Sequence, residues 1–423
     1  MSETLTTMRP REALLTALLI VAVMGVTMIG FGWVPHISIV LVMCGLFAYG
    51  RFKGAGFDAM QKSMAEGVVS GIGAIYLFFY IGLLVAALMM SGAIPTLMYY
   101  GFDLISPHFF YISAFVLCSV IGISLGSGFT TCATAGVAFL GMAEAFDANP
   151  AIVAGAVVSG ALFGDKMSPL SDTTTIAASI VGVDLFDHIR NMMFTTIPAW
   201  ILTAILLWLL TGNVADADLS NIAAMQQQLV TSGLVHGYAL LPFVVLIVLA
   251  VRKVNAIYTI IATIFTAIAV TYIHSSPTLG QLGGWFFSGY KPAEGLDLGT
   301  VGKLVSRGGM ESMFFSQTIV ILALSLGGLL QGLGVLPALL AGVTHLLTGV
   351  GRATAAAAAT AFGINFLIGE QYLSLLLTGN TFKPLYERLN LHPRNLARTI
   401  EDSGTVINPL VPWGVYGVFL AGI

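Results

Sequence analysis

The chain has 423 residues, of which 57% are apolar and only 9% charged, against about 25% charged in an ordinary soluble domain. No soluble core hides that much apolar surface, and the few basic residues form no stripe of the kind a nucleic acid needs. Lipid is therefore the expected solvent, and the fold class expected is an all-α polytopic membrane protein.

A hydrocarbon layer of ~30 Å takes about 20 apolar residues per helix. From the N-terminus, spans are expected near Ala13–Phe31, His36–Gly50, Val68–Met90, Phe109–Ile123, Met193–Thr211, His236–Val251, Val254–Ile273 and Met313–Gln331. Arg9 and Arg11 before the first run imitate a signal peptide, but that run is long enough to span and no convincing cleavage site follows, so it reads as a retained helix. The intervals 124–180 and 353–423 are apolar but broken by Gly, Pro and charge, which suits broken helices or re-entrant hairpins and brings the count to about 11–12 membrane segments. Cys44, Cys118 and Cys132 lie in apolar segments without CxxC spacing, so buried thiols are expected rather than a disulfide or zinc site. His188 falls in an amphipathic stretch, Val183–Asn191, that reads as a surface helix, and His236 and His274 stand at span ends; none is expected to be a ligand. The five tryptophans, Trp33, Trp200, Trp208, Trp285 and Trp413, read as interface or packing residues.

Cytoplasmic loops collect Lys and Arg. Arg9 and Arg11 place the N-terminus inside, and Arg51, Lys53 and Lys62 are inside again two spans later. The connection 91–108 lacks Lys and Arg, 142–150 carries only Glu144 and Asp147, and 212–235 carries only Asp216 and Asp218; these read as outside. Arg190, Arg252–Lys253, Arg352 and the cluster Lys383, Arg388, Arg394 and Arg398 then fall inside. Residues 291–307 resist the pattern, with Lys291, Lys303 and Arg307 placed outside beside Glu294, Asp297 and Glu311.

The chain also repeats itself. Gly126, Phe129, Gly136 and Phe139 match Gly369, Tyr372, Gly379 and Phe382 at an offset of 243, and Gly67, Gly92 and Pro95 match Gly309, Gly334 and Pro337 at 242. Three spans between the copies turn the second one over, and the acidic 142–150 connection against the cationic 383–398 connection agrees, with Lys62 against Lys303 and Arg307 as the exception. The expected division is N-terminal spans 1–50, repeat one 51–192, linking spans 193–290 and an inverted repeat two 291–423, with a binding site where the repeats meet.

A charge at the bilayer centre costs ~2.5–3.5 kcal/mol on insertion scales, so it rarely persists there without a function. The segment 164–175 carries Asp165, Ser168, Ser171, Asp172, Thr173 and Thr174, hard oxygen ligands of the kind a small cation takes. Gly164 and Pro169 are expected to stop the helix there, leaving the flanking runs 151–163 and 176–183 as half-helices. The bland alternative is a surface loop with Asp165 paired to Lys166 and Asp172 as a helix cap. Glu401-Asp402-Ser-Gly-Thr405 is read as the second copy of Ser171–Thr175, at an offset of 230, with an Arg398–Glu401 surface ion pair as the alternative. Ser127, Thr130, Thr131 and Thr134 follow a glycine-rich span end, and Asn365, Glu370, Gln371 and Ser374 hold the matching place. Singly, such hydroxyls usually bond to their own backbone. Glu370, between the apolar runs Ile364–Ile368 and Leu373–Leu377, demands a reason, whereas Glu311 at a span's edge reads as interfacial.

The run Phe163-Gly-Asp-Lys-Met-Ser-Pro-Leu-Ser-Asp-Thr-Thr174, then Asp187-His-Ile-Arg190 and Thr195-Thr-Ile-Pro198, resembles the signature of the NhaC family of sodium/proton antiporters. Arg307-Gly-Gly-Met310, Gly369-Glu-Gln-Tyr372, Glu401–Thr405, Asn408-Pro and Pro412-Trp413 are similar to that family too. The resemblance implies sodium/proton exchange across a bacterial inner membrane, with relatives that trade malate or lactate. Members of that family usually continue further, whereas this sequence ends 11 residues after Pro412, so a last helix is either missing here or absent by nature.

The expected mechanism is competition of sodium and protons for Asp172 and Asp165, helped by Asp402, Glu370 and Glu401, with Ser127, Thr131, Ser168, Ser171, Thr173 and Asn365 completing the coordination. No cofactor and no enzymatic activity are expected; the partners are membrane lipid and the transported ions, and a homodimer stays among the candidate assemblies. The rival within transport is a small-carboxylate or amino-acid antiporter using Asn365, Gln317 and the serines, with Lys166 the only cation nearby. An intramembrane aspartyl protease fits poorly, since Leu162 stands where its Gly-x-Gly-Asp element needs glycine and no Tyr-Asp dipeptide follows. A channel suits the repeat and the paired acids less well than alternating access does.

Overall fold

The computed structural model describes residues 4–213, 219–252, 254–292, 298–344 and 349–422. Asp216, Asp218, Lys253, Glu294 and Asp297, which entered the loop orientation, lie outside the described residues. Every regular element among those described is helical, the one element that satisfies its own backbone in lipid.

In chain order the helices begin with α1 (Pro10–Gly25, continued by a π-turn over Val26–Gly30), α2 (Pro35–Phe52), α3 (Phe57–Ser70), α4 (Ile72–Met90), α5 (Ala93–Leu104) and α6 (Phe110–Leu125). Then come α7 (Gly128–Thr131), joined through a π-turn over Cys132–Gly136 to α8 (Val137–Met142), α9 (Pro150–Met167), α10 (Asp172–Val181) and α11 (Leu185–Leu209). The middle of the chain holds α12 (Leu219–Thr231), α13 (Leu241–Val251), α14 (Ala256–His274), α15 (Leu279–Ser288) and α16 (Gly299–Val305). The last group is α17 (Glu311–Gly332), α18 (Val335–Thr344), α19 (Val350–Ile368), α20 (Gln371–Arg388), α21 (Pro393–Gly404) and α22 (Val415–Gly422). Prolines open α1, α2, α9 and α21, where a missing N–H costs nothing and φ is preset.

Eight helices among the described residues are long and apolar enough to cross a membrane, and α3 with α4, bent by 44°, makes a ninth. They expose apolar side chains as no water-soluble surface does: Leu15, Leu18 and Leu19 stand out from α1, and Ile29 is 88% exposed. Cys118 and Cys132 are buried as expected, but Cys44 is exposed on α2, because its side of the helix faces away from the core residues Val42, Met43 and Leu46.

Two compact units form. The first comprises Met1–Tyr76, Thr173–Asn191 and Phe315–Gly422. One of its cores packs α1, α2, α17, α18 and α19 through Ala13, Ile39, Leu46, Leu329, Leu336 and Ile368; another packs α10, α19, α20 and α21 through Ala177, Ala357, Leu375, Phe382, Leu396 and Ile400. The second unit comprises Leu77–Asp172 and Met192–Phe314. In it α6 and α9 touch at the backbone, and the Trp200 ring of α11 lies tilted against Phe115 and Phe163 while donating from Nε1 to Ser119 Oγ at 3.0 Å.

That backbone contact overturns the expected helix stop at Gly164. The helix α9 runs 18 residues through Gly164 and Asp165 to Met167, a full span rather than a half-helix, and only Pro169 lies beyond its end. Gly164 is there to let the helices meet: a Cβ on it would sit 2.5 Å from Gly122 Cα. Gly164→Val is expected to lower stability by about 1–3 kcal/mol, read as a lower Tm in detergent, whereas Gly155→Val on the same helix, with nothing within 4 Å of its Cβ, should not. Equal melting of the two variants would refute this account of the contact.

Val183–Asn191 is likewise no separate surface helix. It runs directly into the 25-residue α11, and His188 in its first turns is fully buried.

Local devices recur at the spacing found in the sequence. Gly126 and Gly369, both left-handed, end α6 and α19; Ser127 and Glu370, the next residues, cap α7 and α20 with their side chains. Asp147 and Asn390 are the two non-glycine residues with positive φ among those described, and they are 243 positions apart. Asn149 and His392 then cap α9 and α21, each ahead of a proline. Pro169 and Pro412 lie in the breaks before α10 and α22, which start 243 residues apart. Gly92 and Gly334, left-handed before α5 and α18, keep the offset of 242, but Gly67 is helical where Gly309 is left-handed.

This register corrects the pairing of Glu401–Thr405 with Ser171–Thr175. Ser171 and Asp172 stand at the start of α10, after a break, whereas Glu401 and Asp402 lie inside α21, before one. At the offset of 243, Asp165 matches Asn408 and Asp172 matches Val415.

Candidate functional site

In the first unit three helix segments converge on Glu401. Pro393 starts α21 and sets its turn phase so that Leu396, Ala397, Ile400 and Glu401 all point into the core. Glu401 is fully buried. Thr174 on the first turn of α10 donates from Oγ1 to Glu401 Oε1 at 2.8 Å, and Thr173 Oγ1 lies 3.5 Å from the same oxygen. His188 Nε2, from the first turns of α11, lies 2.9 Å from Glu401 Oε2. The anticipated surface ion pair with Arg398 does not describe this carboxylate, because Arg398 Nη1 instead reaches the Asn191 carbonyl at 3.5 Å. Asp402, one residue on, is turned by a helical step and is half-buried.

A second polar cluster in this unit closes the break between α21 and α22. Asn408 Nδ2 donates to Asn365 Oδ1 at 2.8 Å and to the Gly369 carbonyl at 3.0 Å, while its Oδ1 accepts the Tyr416 N–H at 2.7 Å. Asn365 Nδ2 donates to the Gly404 carbonyl. Freed backbone groups are thus satisfied by two buried amides, which is how a helix is broken without a stranded donor or acceptor. Glu370, buried beside Gly369, accepts the N–H groups of Tyr372 at 2.9 Å and Leu373 at 2.7 Å, a carboxylate at the positive end of α20. Ser374 donates to the Ala361 carbonyl, and Gln317 donates to the Ile75 carbonyl at 3.3 Å.

In the second unit Asp165 and Lys166 are both buried in the last turn of α9. Ser168, also buried, ties the break to α6 by donating to the Ile123 carbonyl at 2.7 Å, and its Oγ accepts the Leu170 N–H at 3.2 Å. Ser171 is buried, but Asp172 is exposed at the first turn of α10. Ser127 Oγ accepts from Thr130, and the Thr131 and Thr134 hydroxyls donate to the carbonyls of Ser127 and Thr130, the back-bonding that membrane helices favour.

The structure therefore brings Glu401 together with Thr173 and Thr174, and Asn365 with the loop after Gly404. It adds two residues that sequence reasoning passed over as site members. His188 carried a misleading signal, an amphipathic neighbourhood; Asn408 carried a faint one, an Asn-Pro pair 243 positions after Asp165-Lys166. Among the described residues no group of three His, Cys, Asp or Glu side chains forms a metal-binding cluster.

Residues 160–423 match the family model described as the Na+/H+ antiporter family. The chain is 40% identical over 391 residues to the Na+/H+ antiporter NhaC of Alkalihalophilus pseudofirmus, covering 92% of this chain and 84% of that protein. It is 34% identical over 370 residues to the arginine/ornithine antiporter ArcD of Halobacterium salinarum, covering 86% and 76%. It is 31% identical over 372 residues to a malate-2H+/Na+-lactate antiporter of Bacillus subtilis, covering 88% and 79%.

Proposed function

The chain belongs to the Na+/H+ antiporter family, and from that premise we propose that it exchanges sodium for protons at buried carboxylates, as a multi-pass protein of the bacterial cytoplasmic membrane with its N-terminus inside. The observation that carries this reading is the burial of Asp165, Glu370 and Glu401 within an apolar helical chain. In an apolar surround a carboxylate is stabilised further by a proton or a cation, and because both favour the same oxygens, loading one favours release of the other. Thr173 and Asn365 accompany Glu370, Glu401 and Asp402 in the first unit, and Ser127, Thr131, Ser168 and Ser171 accompany Asp165 and Asp172 in the second; their hydroxyl and amide oxygens supply further sodium ligands within each unit. The devices spaced by 243 residues support two repeats, 51–192 and 291–423, which three linking spans invert.

Everted vesicles with a pH-sensitive dye test the reading: sodium added to a respiring preparation should collapse the proton gradient only when the protein is present. Asp172→Asn should abolish that response; a variant that retains it removes Asp172 from the site. The relatives that move malate with lactate, or arginine with ornithine, support a second reading, in which a small carboxylate or amino acid travels with the ions and the buried Lys166 meets its carboxylate. Accelerated exchange on adding malate, lactate or arginine would favour it.

A further inference from the structure

His188 is fully buried, as is the carboxylate it meets. Its Nε2 faces Glu401 Oε2 at 2.9 Å, while its Nδ1 is buried with no hydrogen-bond partner among the described residues. That asymmetry decides which nitrogen carries hydrogen. The tautomer with hydrogen on Nδ1 alone would strand a buried N–H and leave two acceptors facing each other at Nε2 and Glu401, whereas hydrogen on Nε2 gives the carboxylate its donor. His188 therefore donates to one oxygen of Glu401 and Thr174 to the other.

We infer that His188 is a positioning residue for cation exchange: with Thr174 it holds Glu401 in a single rotamer, so that the remaining lone pairs of the carboxylate meet the cation in one orientation. The inference rests on reading Glu401 as an ion-exchanging acid. A glutamate has three rotatable bonds, and fixing them during folding spares that cost at each binding event. Neighbouring charges do not replace the clamp. Arg398 is directed to the Asn191 carbonyl, Lys383 to the Ile180 carbonyl at 3.4 Å, and Asp187 with Arg190 forms an exposed pair at 3.9 Å.

The test measures the half-saturating sodium concentration and the maximal rate in proteoliposomes for wild type, His188→Ala and His188→Gln. Glutamine carries an N–H at nearly the reach of Nε2. The alanine variant should raise half-saturating sodium about tenfold with maximal rate within about twofold, and glutamine should restore it to within about threefold of wild type. Wild-type sodium dependence in the alanine variant, or a glutamine variant as impaired as alanine, would overturn the inference. If the alanine variant does not reach the membrane, Thr174→Val removes the other donor and should give the same rise; its absence counts equally against the clamp. Nitrogen-15 NMR of histidine-labelled protein reads the tautomer independently of transport, with protonated Nε2 and bare Nδ1 expected. A ring with hydrogen on Nδ1 and none on Nε2 would defeat the hydrogen-bond assignment. Wild-type liposomes without sodium-dependent exchange would instead sink the role given to Glu401.

Discussion

Replacing Glu401 by glutamine is expected to lower sodium-driven proton movement at least about a hundredfold while leaving the protein folded. The side chain keeps its volume, so the surrounding Leu396, Ala397 and Ile400 packing is undisturbed. What disappears is the charge that a cation needs, an interaction worth about 2–3 kcal/mol or more, and each 1.4 kcal/mol is about tenfold. Thr174 can still donate to the amide oxygen, but the amide N–H then faces the Nε2–H of His188, donor against donor. The ring must move its hydrogen to Nδ1, where no partner waits, so a modest loss of about 1–3 kcal/mol in stability should accompany the loss of transport. Asp402→Asn, on a half-buried neighbour one helical step from Glu401, should have the smaller effect. An E401Q protein that folds and responds to sodium as wild type does would remove Glu401 from the mechanism.

Asn408→Ala should be the most destabilising single change in the break between α21 and α22. It deletes three hydrogen bonds at once, leaving Asn365 Oδ1 and the Tyr416 N–H buried without their partners; the Gly369 carbonyl keeps the Val415 N–H. Stranded buried groups cost about 1–3 kcal/mol each, so the sum expected for the two is about 2–6 kcal/mol. Thermal unfolding in detergent measures it, against Val406→Ala, an exposed residue nearby, as the reference. A melting temperature within a few degrees of wild type would mean that the two asparagines do not hold the break. Transport should fail in the same variant, because Asn365, whose Nδ2 donates to the Gly404 carbonyl, would lose the amide that holds its own oxygen, and the Gly369 carbonyl would lose one of its two donors.

Part of this was open to reading from the residues alone. Hydropathy over about 20 residues is a local property, and it located six of the eight helices long enough to cross; its other two spans fall on the bent pair α3–α4 and on the shorter α13, while 150–167 and 393–422 lie in the intervals it read as broken. The 243-residue spacing was visible through Gly126 and Gly369, and the run 163–174 carried the family. Its extension through Pro150 and Pro393, and through Pro169 and Pro412, was equally present in the string, but the pairing of Glu401-Asp402 with Ser171-Asp172 obscured it. Composition also located the oxygen-rich stretch at 164–175, since polar side chains within apolar runs need no tertiary information to be noticed.

Composition and short-range pattern thus determined the membrane class and the positions of most of the helices, and the motif at 163–174 carried the resemblance to the family. Tertiary structure decided the continuity of α9 through Gly164, which depends on Gly122 lying against it, a contact between helices that hydropathy does not encode. It also decided that Glu401 meets His188, 213 positions earlier, and that Asp172 stands exposed while Glu401 is sealed. The physical reason is that burial and partnership depend on how each helix is rotated and what packs beside it. A window of sequence records the helix but not its neighbour.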